Sequence, residues 1–428
     1  MRNIIQNWRT LISEKFAGNF IKTLSLDVLA KGFMFVFLPL YTQVMTEEEF
    51  GLFTYLYLII TTCASVFKIG MDTAFSKLFF DVSGSDRKTL TFTVNIVWIV
   101  FFLTVFLVAM LTGGDKWIFS QLIEKDIHFE KIRFQLWVFV LLEIVTTTLN
   151  VYYLVNEKIV KYQIFNFFKI FITNFLTFAL LYYSKTDKVA LRLTSECLLG
   201  LLLFSPLIIE LIKETKFKIN RDLLDKALKI GFPMMGSLLI SSVYLLADRY
   251  FIQKYNGLNS LAVYNFCVML TLPISLFFGS FNTIWFPKFA KEKNLITNYK
   301  KTIQITGMLL IGFSFISIVV WLAVVVLLHT NLLKNTYAAA LIILPIVFAS
   351  RILDTLSHLY TNFVVVLGKT SFNFTLVLIL GFSTLALNYF FTPLYGILAA
   401  AIIVFTISSL RLLALFLFAH HYSLKINP

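Results

Sequence analysis

Twelve apolar runs, each about 20 residues long and parted by short polar connections, set the pattern of this chain. They fall at about 19–42, 50–70, 91–112, 133–155, 162–183, 190–212, 229–252, 261–286, 302–328, 338–364, 371–391 and 395–419. Each is long enough for a helix to cross a bilayer, and each would satisfy its own backbone there. The short alternating segments of an outer-membrane barrel are absent. The stretch Lys229–Phe266 organises the rest: a basic run, a crossing, a short polar turn and the start of the next crossing. A thin echo of it lies 210 residues earlier. Gln43 answers to Gln253, Phe53 roughly to Tyr264, Asp72-Thr73 to Asn282-Thr283, and Lys77-Leu-Phe79 nearly to Lys288-Phe289. Two similar halves of six spans each follow, both entering from the same side, as in transporters that hold a cavity between two bundles.

Composition agrees with the pattern. The chain is 58% hydrophobic and 14% charged, where soluble domains carry about 25% charged residues. The fold expected is an all-α integral membrane protein, with twelve transmembrane helices in two six-helix bundles around a central cavity. The segments are an amphipathic cytoplasmic lead-in (1–18), an N-terminal bundle (19–212), a cytoplasmic linker (213–228), a C-terminal bundle (229–419) and a cytoplasmic tail (420–428). Residues 1–18 lack a signal peptide's apolar core and cleavage site.

The net charge of +14 reads as topology rather than nucleic-acid binding. With the N-terminus inside, the inner segments hold 22 Lys and Arg and the outer loops 8. The positive-inside rule therefore puts both termini in the cytoplasm. The acidic turn Thr46–Glu49 falls outside. Cys63, Cys197 and Cys267 all lie within spans, so no disulfide framework is expected.

Polar residues inside the spans carry the functional signal, because a charge at mid-span costs roughly 2.5–3.5 kcal/mol to insert. In span 10, Arg351, Asp354, Thr355, His358 and Asn362 share one helical face, and Ile352, Leu356, Leu359 and Phe363 the other. That stripe either lines a cavity or forms an internal Arg–Asp lock. Span 1 holds Asp27 and Lys31 at i, i+4. Lys31 lies about 18 Å deep at 1.5 Å per residue, so it needs water or Asp27 as a counter-ion. Span 5 carries Asn166, Lys169, Thr173 and Thr177 on one face, and span 4 carries Glu143, Thr147 and Asn150. Asp248 and Arg249 are neighbours near the end of span 7. Arg192 and Glu196 form an i, i+4 pair expected to be structural, and Arg411 is expected at an interface. The substrate-binding cations of a central cavity are thus Lys31, Arg351, Arg249 and Lys169. The coupling or charge-neutralising groups are Asp27, Asp354, Glu143, His358 and Asp248. Such a cavity suits an anionic head group, and a guanidinium suits phosphate through paired hydrogen bonds.

Enzyme signatures are missing. The sequence has no phosphate-binding GxxxxGK[ST] loop, no HExxH, no Cys/His metal spacing and no GxSxG elbow. No catalytic residue, metal site or cofactor is expected beyond a coupling H+ or Na+, and no enzymatic activity.

The blocks LPLYTQVMTEEEFGLF (Leu38–Phe53) and GMDTAFSKLFF (Gly70–Phe80) resemble the first half of bacterial Wzx-type polysaccharide flippases. These belong to the multidrug/oligosaccharidyl-lipid/polysaccharide (MOP) exporter superfamily. ADRYFIQKY (Ala247–Tyr255), LAVYNF (Leu261–Phe266), NTIWFPKF (Asn282–Phe289) and LNYFFTPLYGILAAAI (Leu387–Ile402) resemble its second half. Lys77 stands where the family often has Arg. The resemblance implies a flippase moving undecaprenyl-diphosphate-linked oligosaccharide repeat units across the bacterial inner membrane, for O-antigen or capsule. It implies lipid partners and, in the pathway, a polysaccharide polymerase and a chain-length regulator. The alternatives are a cation-coupled small-molecule or drug antiporter of the same superfamily, which would want an acidic or neutral cavity, and a membrane glycan polymerase, against which the short outer loops speak.

Overall fold

The computed structural model describes residues 32, 36–82, 84–123, 129–184, 186–292 and 294–425, and no strand occurs among them. Helix α1 (36–44) ends where the first span is expected to end. The next helices are α2 (Glu47–Phe67), α3 (Met71–Leu78), α4 (Ser85–Thr112), α5 (Gly114–Leu122), α6 (Phe129–Val155), α7 (Ile159–Tyr183) and α8 (Lys188–Lys213). The second half comprises α9 (Arg221–Leu270), α10 (Leu272–Lys291), α11 (Leu295–His329), a 3-10 turn (Asn335–Ala339), α12 (Ala340–Val366) and α13 (Thr370–Lys425).

Helix α13 is two spans, and α9 is one span followed by the first half of the next, which α10 completes. Gly257 (φ 80°) breaks α9 and Gly396 (φ 60°) breaks α13. Positive φ is strained for a residue with a Cβ, so glycine lets the chain turn there within a residue or two. With α1 (36–44) taken as the end of the first, the described helices fit twelve crossings in two six-helix bundles of a multi-pass membrane protein. The short helices α3 and α5 lie in stretches the apolar pattern leaves as connections, because eight or nine residues are too few to register as a span.

Local chemistry starts the helices. Thr46 and Glu49 form a reciprocal capping box, with Thr46 N–H donating to Glu49 Oε2 at 2.8 Å and Glu49 N–H to Thr46 Oγ1 at 3.2 Å. Asp187 accepts from the Val189 and Ala190 amides, and Asn220 from those of Asp222 and Leu223. In the α4–α6 connection, Arg133 grips Asp115 at 2.7 Å and donates to the Ala109 carbonyl at 3.1 Å, which pins α5 across the end of α4. Burial would raise the Asp115 carboxyl, but hydrogen bonds from Arg133 and Trp137 hold it below the usual carboxylate range. This clamp is therefore intact at neutral pH and weakens only as pH falls through that lowered value.

The two halves meet mainly where α2 and α3 pack on α9. One end of the molecule gathers the turns at 45–46, Gly257 and 330–339, and is polar and closed. Gln43 Nε2 donates to the Asn331 and Leu332 carbonyls at 3.2 and 2.9 Å. Lys334 donates to the Met45 carbonyl at 2.8 Å, and Thr336 to Glu47 at 2.8 Å. Below them Tyr337 packs edge-on against Phe50 and tilted against Phe266, and Asn265 donates to Thr54 at 2.9 Å. We call this the latched end. At the opposite end, the 213–220 linker is stitched to α4 through Lys216 N–H to the Lys88 carbonyl and Asn220 N–H to Thr93 Oγ1, both at 3.2 Å.

Gly51 sets how closely the halves approach at the latch. A Cβ there would stand 2.3 Å from the Leu258 carbonyl oxygen and 3.2 Å from the Ala262 nitrogen, both backbone atoms. Gly51→Ala is expected to destabilise the purified protein by about 1–3 kcal/mol, read as a lowered thermal midpoint in detergent. Gly307→Ala, with no neighbour within 4 Å, should leave the midpoint unchanged or raise it slightly.

Candidate transport site

A small cavity of about 40 Å3, open to solvent, lies between the halves. Leu38, Tyr41, Phe50, Asn174 and Arg192 line it from the first half, and Met269 and Leu272 from the second. The Asp187 cap starts α8, and Arg192 follows within two turns of it. The guanidinium of Arg192 lies 3.8 Å from the Tyr41 ring centroid and 3.7 Å from that of Phe53, and its Nε reaches Glu196 at 3.1 Å. The expected i, i+4 pair is therefore present. Its cavity-facing position was not legible, because Tyr41 and Phe53 are distant in sequence.

In the second half, α12 carries the polar stripe as expected. Ile352, Leu356, Leu359 and Phe363 are buried, while Arg351, Asp354 and His358 stay partly exposed. Asp354 receives Arg411 of α13 at 2.7 Å and stands 4.0 Å from Arg351. Arg351 Nε also donates to Thr271 Oγ1 at 3.3 Å, and the His358 ring lies against Phe278. Arg411 is thus not interfacial. Its helix continues to Lys425, so it sits midway between Gly396 and that end, and it turns inward to the carboxylate. Asn362 donates to Asn282 of α10 at 3.2 Å.

The other predicted residues lie apart. Arg249 grips its neighbour Asp248 at 2.8 Å, and Asp248 accepts from the Tyr264 hydroxyl at 2.6 Å. Lys169 lies over the Phe204 ring, 5.1 Å from its centroid, within the first half. Glu143 feels the charges of Lys169, Glu196 and Lys68. Asp27 and Lys31, like the lead-in 1–18, fall outside the described residues. A second, smaller cavity of about 20 Å3, which the polar pattern did not flag, opens inside the first half. Asp72, Asn95, Trp98 and Tyr152 are among its lining. Lys68 and Asp72 form an ion pair there.

Among the described residues no group of three or more His, Cys, Asp or Glu side chains is placed to hold a metal ion, and the three cysteines are free thiols within helices.

The architecture defines the class: a polytopic membrane protein with a transporter fold. It is similar to an inward-facing multidrug resistance MATE family transporter of the MOP superfamily (TM-score 0.69, 13% identity, 94% of each chain covered). It is also similar to the lipid II flippase MurJ in an inward closed conformation (TM-score 0.63, 15% identity, 92% of this chain and 90% of that one). A third likeness is to a MOP superfamily transporter from Pyrococcus furiosus, described as having a binding pocket of reverse polarity (TM-score 0.62, 13% identity, 96% of each). At these identities the likeness is one of fold. No curated protein matches the sequence. Residues 16–293 match the polysaccharide biosynthesis protein family, and the chain belongs to that family.

Asp354 compensates two guanidiniums at once. Asp354→Asn is expected to cost about 1–2 kcal/mol, less than in a fully buried pair because the carboxylate is partly exposed. Adding Arg411→Met should recover part of that loss, measured by thermal unfolding as a double-mutant cycle.

Proposed function

We propose that this protein is a flippase for undecaprenyl-diphosphate-linked oligosaccharide repeat units in the bacterial inner membrane, serving O-antigen or capsule synthesis. It acts by alternating access and not as an enzyme. The observation that carries the reading is a cavity between two bundles, closed at one end by a polar latch, in a chain of the polysaccharide biosynthesis protein family. The excess of Lys and Arg in the other connections puts the latched end outside and both termini in the cytoplasm. The head group then enters from the linker end, while the polyprenyl tail stays in lipid. The two bundles are the N-terminal (19–212) and C-terminal (229–419) units, joined by the 213–228 linker.

Arg351 and Lys31 are the first candidates to hold the diphosphate, with Arg249 and Lys169 next. Asp27, Asp354, Glu143, His358 and Asp248 neutralise these cations or couple transport to H+ or Na+. A polymerase and a chain-length regulator would take the delivered units. A second reading has its own support. Arg192, Arg249 and Arg411 are each paired with a carboxylate, which lowers the net positive charge and suits a cation-coupled small-molecule antiporter.

The double variant Lys31→Ala, Arg351→Ala, at matched expression, should lower surface glycan roughly tenfold or more, the loss expected when charge-assisted contacts to phosphate go. Full surface glycan in that variant would end the diphosphate assignment. Drug efflux without any glycan defect on deletion would favour the antiporter.

A further inference from the structure

The segment that joins the halves carries a pattern the transport site does not use. Between α8 and α9 the chain reads Lys216-Phe217-Lys218-Ile219, and all four residues are exposed, Phe217 by 70% and Ile219 by 50%. A tight turn, in which the Lys218 N–H donates to the Lys216 carbonyl at 2.7 Å, sets Phe217 at its apex. That turn is moored to α4. The Lys216 N–H donates to the Lys88 carbonyl and the Asn220 N–H to Thr93 Oγ1, both at 3.2 Å, and Lys88 reaches Glu214 at 3.7 Å. The Phe217 ring packs against Phe92 of α4, with centroids 5.2 Å apart.

Phe92 fixes where the turn sits relative to lipid. Its face of α4 continues through Ile96, Val100, Leu103 and Leu107, at i+4, i+8, i+11 and i+15, and the last three are half exposed. On a membrane helix such a stripe faces acyl chains. From Phe92 to Leu111 the helix runs about 28 Å at 1.5 Å per residue, close to the ~30 Å thickness of the hydrocarbon. Phe217 therefore stands at the hydrocarbon edge, with Lys216 and Lys218 at the level of the head groups. The nearby carboxylates are engaged elsewhere. Glu214 has Lys88, and Asp86 and Asp222 lie in the first turns of α4 and α9, where the helix dipole meets their charge. Neither Lys216 nor Lys218 has an ion-pair partner among the described residues.

We propose that this linker is a docking surface for an anionic phospholipid of the leaflet that faces it, the cytoplasmic leaflet in the proposed orientation. Phe217 and Ile219 enter the acyl boundary, as aromatic and aliphatic side chains do at a membrane interface. Lys216 and Lys218 flank the phosphate, as basic residues at an anionic membrane surface do. Lysines meet a phosphate as point charges, without the fixed fork of a guanidinium, so the surface selects for the charge of the lipid and not for one head group. A zwitterionic head group brings its own ammonium and gains little. The bound lipid sets the depth of the covalent tie between the halves. The assignment rests on the membrane-spanning fold and not on what the protein carries across.

The test uses the full chain carrying Phe217→Trp, in phosphatidylcholine vesicles that contain either brominated phosphatidylglycerol or brominated phosphatidylcholine as the minor lipid. Bromines near the head-group end of the acyl chains quench an indole they touch, and the wild type with its six tryptophans supplies the baseline. The added quenching should need roughly tenfold less phosphatidylglycerol than phosphatidylcholine, the enrichment expected of two lysines at a lipid surface. Lys216→Gln with Lys218→Gln should abolish that preference and leave quenching by brominated phosphatidylcholine in place. The charge-matched pair Lys226→Gln with Lys229→Gln, farther along α9, should retain it. Equal quenching by the two lipids overturns the proposal, as does a preference kept in both pairs or lost to the same extent in both. Quenching by neither lipid would put the linker in water or against another protein, and overturns it too. The readout involves no transport, so its failure leaves the flippase reading standing.

Discussion

A charge placed inside a membrane protein must meet an opposite charge, an aromatic face or water, because hydrocarbon supplies none of these. This constraint organises the interior of the chain. Arg192 has Glu196 and two rings; Arg249 has Asp248; Arg351 and Arg411 share Asp354; Lys68 has Asp72. Each half has its own pairs, and one half-exposed pair, Lys334 with Glu47 at 3.8 Å, crosses between the halves at the latched end. The exception to full pairing is the α12 face, where one carboxylate serves two guanidiniums and the side chains stay partly exposed.

Between the halves the contacts are of another kind. Backbone meets backbone at Gly51 and Leu258, and side chains reach main-chain carbonyls in the Gln43 and Lys334 bonds. Such bonds are replaceable by water, each with a net worth of about 1 kcal/mol. A closed end built from them can open at modest cost, whereas the ion pairs inside each half cannot be broken so cheaply. Most ion pairs thus lie within a half, and most contacts between the halves are neutral hydrogen bonds and close backbone packing.

The internal repeat has a physical counterpart. The break between the first two spans and the break at Gly257 lie at matching places in the two halves, and both fall at the latched end. Glu143 and Asp354 occupy the fourth span of their halves, 211 residues apart; Asp354 stands beside two guanidiniums, and Glu143 near Lys169, Lys68 and the carboxylate of Glu196. The echo in the sequence was thin because helix–helix packing in a membrane asks for shape and polarity rather than for particular residues.

The amino-acid sequence by itself determined the crossings, their order and the faces on which polar residues gather. Span length and the i, i+3, i+4 period are local properties, written wherever 20 apolar residues or a Arg351–Asp354–His358 spacing occur. The pairs within one helix, Arg192 with Glu196 and Asp248 with Arg249, were legible for the same reason. Only the tertiary structure decided that Arg411 turns inward to Asp354, that Tyr41 and Phe53 close over Arg192, and that the loop at 330–339 clasps the turn at 45–46. Those contacts join residues 57 to 289 positions apart or unite three helices at once. No local pattern encodes which distant side chain will fill a space; packing of the assembled helices does.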